Sequence, residues 1–102
     1  MVTAEISIIP VGTGSSSVSD YVAAAVSELE ASGIKCTVTA TGTSVEADSP
    51  SQLYEALGRA QEAVFDTGVE RAYTILKMDD RRDGREPSEN EMVRSVRESQ
   101  EG

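Results

Sequence analysis

Apolar and polar residues alternate from Val2 to Pro10: Val2, Ala4, Ile6 and Ile8 fall on one side, Thr3, Glu5, Ser7 and Ile9 on the other. A period of two predicts a strand with one oily face. Gly12 and Gly14 then break the pattern, and Ser17 with Asp20 marks a helix start. From about Val18 to Ser32 the period changes to that of a helix. Tyr21, Val22, Ala25, Val26 and Leu29 form its buried stripe and Gly33 its stop. Ile34 to Thr41 reads as a second strand, Gly42 as a turn and Thr43 to Ala47 as a third strand. The short connection predicts an antiparallel hairpin, since a crossover helix cannot fit. Ser49-Pro50 opens a second helix with the stripe Leu53, Ala56, Leu57, Ala60 and Val64, closed by Gly68. Arg71 to Met78 is the fourth strand.

The order is therefore βαββαβ, an α+β ferredoxin-like sandwich. Right-handed crossovers place both helices on one face of a four-stranded antiparallel sheet and leave the other face bare. Asp79 to Pro87 reads as a charged turn. Ser88 and Glu91 form a capping box for an extra C-terminal helix, residues 86–102, whose apolar face is limited to Met92, Val93 and Val96. The whole chain, 1–102, is expected to be a single domain.

Composition narrows the chemistry. The 102 residues contain no histidine and one cysteine, Cys36. The commonest general base, the Ser-His and Cys-His nucleophile pairs and the usual zinc sites are all removed. An intramolecular disulfide is impossible, which agrees with a reducing compartment. No apolar run approaches the roughly 20 residues needed to span a bilayer, and the amino terminus enters a strand without a signal-peptide pattern. A cytoplasmic protein is the expectation. With 18 acidic against 9 basic residues, a net charge of −9 disfavours nucleic acid and anionic membranes as partners.

Several motifs together resemble the small thiamine-binding protein family, relatives of thiamine- and hydroxymethylpyrimidine-binding proteins. They are Thr3-Ala4-Glu5-Ile6 through Ile9-Pro10-x-Gly12-Thr13, the helix segment Tyr21-Val22-Ala23, the hairpin Gly42-Thr43-x-x-Glu46, and Lys77-Met78-Asp79-Asp80-Arg81-Arg82-Asp83. The resemblance implies a ferredoxin-like fold, assembly into dimers and commonly tetramers, and binding of thiamine or its pyrimidine part without turnover. It implies no cofactor.

Candidate ligand-binding residues follow from chemistry and strand geometry. Glu5 and Glu46 are carboxylates in otherwise apolar strands; they either accept hydrogen bonds from an aminopyrimidine and face a thiazolium cation, or pair with Lys35 or Lys77. Thr43, beside Gly42, is the hydroxyl most readily assigned to a ligand. Ser15 and Ser17 stand at the edge of a glycine-serine loop leading into a helix amino terminus, though without a P-loop ending. Asp79, Asp80 and Asp83 are interleaved with Arg81 and Arg82, which favours charge pairing over a cation site. Two other classes stay open: a regulatory metabolite-binding module acting on a partner enzyme, and an acylphosphatase-like hydrolase. The latter needs an arginine cradle in the first loop, and Val11 to Ser17 contains none.

Overall fold

The structure is a computed structural model that describes residues 1–12, 18–82 and 96–100. Six elements follow in order: β1 (Val2–Val11), α1 (Val18–Ala31), β2 (Lys35–Thr39), β3 (Gly42–Ala47), α2 (Pro50–Phe65) and β4 (Arg71–Asp80). The strands form one sheet in the order β2-β3-β1-β4, with every neighbouring pair antiparallel. This is the ferredoxin-like arrangement, and both crossover helices lie on one side. Residues 96–100 are helical, within the span expected for the last helix; its proposed cap, Ser88 with Glu91, lies outside the described residues, as do Met92 and Val93. Among the described residues no helix is long and apolar enough to cross a membrane.

Helix ends form where the side chains dictate. Gly33, at φ 84°, closes α1 by letting Ile34 N–H return to Leu29 O (3.0 Å) and Gly33 N–H to Glu30 O (3.0 Å). Ser49 Oγ accepts from Gln52 N–H (3.2 Å) at the start of α2, and the Gln52 side chain accepts from Asp48 N–H (2.7 Å). The Arg59 guanidinium donates to Ser32 Oγ at 3.1 and 3.2 Å, tying α2 to the end of α1. Between the helices and the sheet lies one apolar cluster. Leu53, Ala56, Ala60 and Val64 of α2 meet Leu29 of α1 and Val2, Ile6 and Val45 of the sheet, all nearly sealed from solvent.

Two boundaries differ from the sequence reading. The hairpin turn is Ala40-Thr41, and Gly42 belongs to β3, opposite Thr39. Thr39 Oγ1 makes that turn: it accepts from Thr41 N–H (3.3 Å) and donates to Gly42 O (3.0 Å), so the chain reverses one step earlier. A Cβ at Gly42 would lie 2.8 Å from the Ile6 carbonyl oxygen and 2.8 Å from Ser7 Oγ, so glycine is required by the close approach of β3 to β1. Strand β4 also continues through Asp79 and Asp80, which pair with Thr3 and Val2. An edge strand exposed to water tolerates such charges, and they discourage further edge pairing.

Candidate functional site

The sheet register sorts the candidate residues onto two faces. On the bare face one row across the strands runs Lys35, Glu46, Thr3, Asp79, and the next runs Thr37, Ser44, Glu5, Lys77. Glu46 and Glu5 thus each stand directly opposite a lysine on the adjacent strand, with β-carbons about 5 Å apart. Neither Glu5 nor Glu46 closes an ion pair among the described residues, and Glu46 and Lys77 are exposed. A shallow depression of about 140 Å³ lies beside Glu46, lined also by Thr3, Lys35, Thr37 and Ser44. Farther along the same face Ile9, Val11, Tyr73 and Ile75 form an exposed apolar patch at 37–57% exposure.

Thr43 points the other way. It pairs with Ile6 and is buried on the helix side, at 9% exposure. There it lines the wall of a groove of about 340 Å³ between α1 and the tip of the hairpin. The floor and walls are Ile6, Ile8, Tyr21, Val22, Ala25 and Leu29, with Ser7, Thr39 and Thr41 at the rim; among the described lining residues none is charged. Ser7 Oγ donates to the Thr41 carbonyl (3.0 Å), which holds the hairpin tip against β1.

The sequence-derived set is therefore not brought together in one place. Glu5, Glu46 and Lys77 share the open face, Thr43 belongs to the groove, and Ser15 and Ser17 lie outside the described residues. Tyr21, Ile6 and Ile8, assigned by periodicity to the core, also form the groove. Its signal in the sequence was Pro10 near the end of β1, a residue without N–H that fits where one side of the strand lacks a partner.

The remaining reactive groups have structural roles. Burial, and secondarily the nearby Glu30 carboxylate, raise the Cys36 thiol above its ordinary pKa. Cys36 packs against the core cluster and its Sγ lies 3.7 Å from Ile34 O. The thiolate is the nucleophile, so Cys36 in the folded protein is expected to react with iodoacetamide at pH 7.5 several-fold more slowly than in urea-unfolded chain. Mass spectrometry of timed, quenched samples measures this. Arg82 donates to Asp80 Oδ2 at 2.7 Å, and that hydrogen bond holds the Asp80 carboxyl below its usual pKa. Asp80 is thereby committed to a charge pair, while Asp83 lies outside the described residues.

Comparison with known proteins adds a family to this geometry. Residues 4–97 match the family described as Thiamine-binding protein. The chain belongs to that family. Among its relatives is a UPF0045 protein of Methanothermobacter thermautotrophicus, 45% identical over 98 residues, which cover 96% of this chain and 98% of the relative. The crystal structure of hypothetical protein MJ1052 from Methanocaldococcus jannaschii superposes with a TM-score of 0.72 at 34% identity, covering 95% of this chain and 96% of that one. A candidate thiamine biosynthesis/salvage protein of Thermotoga maritima has TM-score 0.68 over 93% of this chain and 97% of its own. At 18% identity that likeness speaks for the fold alone. Membership of the thiamine-binding family supports a binding role.

Proposed function

We propose that the protein binds thiamine or its hydroxymethylpyrimidine part without altering a covalent bond, as a cytoplasmic carrier, buffer or sensor. The binding site in this reading is the groove between α1 and the hairpin. The observation that supports it most is the groove itself: about 340 Å³ of apolar space with a few hydroxyls at its wall and rim. Small-molecule sites have this size and this mixture of apolar lining with sparse polar groups. Glu46 and Lys77 are not among the residues that line it, and Glu5 comes no nearer than its rim, where its Cγ would lie 3.3 Å from a Cβ on Gly42. Their place in this reading is at the contact with a second copy, where the open face is covered in a homo-oligomer, dimer or tetramer.

Titration calorimetry tests the binding claim. Saturable binding of thiamine and of hydroxymethylpyrimidine is expected. Thr43→Val, which keeps the shape and removes one neutral hydrogen bond of about 1 kcal/mol, is expected to weaken it about five-fold. Glu46→Gln is expected to change it less than two-fold at a fixed oligomeric state. Undetectable binding of both compounds at millimolar concentration removes the functional reading. The reverse order of the two variants moves the site to the open face.

A further inference from the structure

Two residues of β1 belong to both sides of the sheet at once. Ser7 and Ile9 share the open face with Thr3 and Glu5, where Ser7 stands opposite Ile75 and Ile9 opposite Tyr73 of β4. Both also line the groove on the helix side. The topology accounts for this. Pairing of β1 with β3 ends at Ile6↔Thr43, while pairing with β4 runs on to Val11↔Arg71. Beyond Ile6, on the β3 side, no strand separates the open face from the groove. The exposed apolar patch of Ile9, Val11, Tyr73 and Ile75 therefore reaches the rim of the groove.

At this gap the hairpin tip is held by a side chain. The ladder between β1 and β3 stops at Thr43, and among the described residues the hydrogen bond that spans the gap runs from Ser7 Oγ to the Thr41 carbonyl, at 3.0 Å. Gly42 leaves room for it, because a Cβ there would lie 2.8 Å from Ser7 Oγ. Thr39, Ala40 and Thr41, the segment that this bond restrains, form one border of the groove. In the single chain the bond is open to water, where a neutral hydrogen bond contributes little; it strengthens when water is excluded. Since Ser7 stands directly opposite Ile75, whatever covers the patch excludes that water. A second copy of the chain suits this role. Lys35, Arg71 and Lys77 balance Glu5, Glu46 and Asp79 on the open face, so a copy is not repelled from it.

We infer that Ser7 is a positioning residue through which covering of the open face controls the groove. The hairpin tip is the two-state element, held on β1 or released from it. A second copy seated on the patch strengthens the bond from Ser7 to Thr41, the bond keeps the tip in place, and the groove is preorganised for its ligand. Linkage makes the effect reciprocal: a ligand that braces the tip favours the covered face by the same factor. This rests on the functional reading above and adds its regulation, an affinity that responds to assembly.

The test is a mutant cycle on the full chain. Ser7→Ala removes the bond, Ile75→Asp uncovers the face, and the double variant does both; Val11→Asp uncovers the face from a position farther along β1 that does not line the groove. Without ligand, NMR follows the Gly42 amide nitrogen, which is deshielded when the preceding Thr41 carbonyl accepts a hydrogen bond. Ser7→Ala is expected to move it upfield, Ile75→Asp and Val11→Asp part of the way, and Ser7→Thr is expected to restore it. With thiamine, calorimetry is expected to find Ser7→Ala and Ile75→Asp each about three-fold weaker than wild type, within the range of one neutral hydrogen bond. The double variant is expected to be no weaker than Ser7→Ala, because both changes act through the same bond. Losses that multiply in the double variant overturn the inference, as does a Gly42 nitrogen that Ile75→Asp and Val11→Asp leave in place. Thiamine that binds none of the forms removes the functional reading instead. The ligand-free resonance then decides the link between face and groove: movement in both patch variants upholds it and a fixed position overturns it.

Discussion

Leu53→Ala is expected to lower the unfolding free energy by about 3 kcal/mol, the usual cost when a sealed leucine leaves a cavity. Leu53 is completely buried, and it sits where α2 crosses the sheet beside Ala56 and Ala60. The small alanines let helix and sheet approach closely, so Leu53 is the large side chain that fills the space between them. Neighbours held by the sheet on one side and α1 on the other cannot collapse into the gap. A domain of this size has on the order of 5–15 kcal/mol of stability in total, so the loss is a large share of it. Leu57, one turn on and only half-buried, is the internal comparison and is expected to cost less than half as much on truncation. Urea unfolding followed by circular dichroism measures both. The midpoint should fall with an unchanged slope; a loss below 1 kcal/mol for Leu53→Ala would show that this face of α2 does not carry the core.

Much of this architecture was legible because apolar periodicity is a local property. The change from period two to period 3.6 after Gly12 locates α1, and the stripe from Leu53 to Val64 locates α2, each closed by a glycine that the structure holds at positive φ. The hairpin was less legible. Gly42 looks like a turn residue, but its actual task is to let β3 pass within reach of the Ile6 carbonyl, a tertiary constraint that no local pattern encodes. Asp79 and Asp80 looked like the start of a loop because charge usually marks one; on an edge strand facing water it does not.

The candidate site was legible in part for a geometric reason. Thr43 and Glu46 are three residues apart in one strand, and an odd separation puts them on opposite faces. Grouping them by their chemistry obscured a parity that the sequence already contained. The groove lay further out of reach, since its walls are residues that periodicity assigns to the core. Only Pro10, a proline inside a strand of otherwise strong formers, hinted that one edge of β1 is unpaired there.

Ile75→Asp is expected to abolish the assembly proposed for the open face without loss of fold. Ile75 lies on the sheet face away from the helices, opposite Ser7 and diagonal to Ile9, and is 43% exposed in the single chain. With Ile9, Val11 and Tyr73 it forms a contiguous apolar patch at one end of a face whose other end is a lattice of carboxylates and lysines. An apolar patch of this kind, adjoining charges of both signs, suits a surface that pairs with a copy of itself. In a two-fold contact a single substitution appears twice. Each subunit would then bring one carboxylate into the apolar part of the interface, where an unpaired charge costs several kcal/mol. A penalty of only about 3 kcal/mol in all weakens association more than a hundred-fold. Light scattering at micromolar concentration should therefore report a multiple of the chain mass for the wild type and a single chain mass for Ile75→Asp, with circular dichroism spectra that superpose. Lys77→Ala, two residues along the same strand at the charged end, should leave assembly within about ten-fold, because rim ion pairs contribute up to roughly 1 kcal/mol. A wild type that scatters as a monomer would remove the assembly claim. An Ile75→Asp variant that remains assembled would move the contact away from this face.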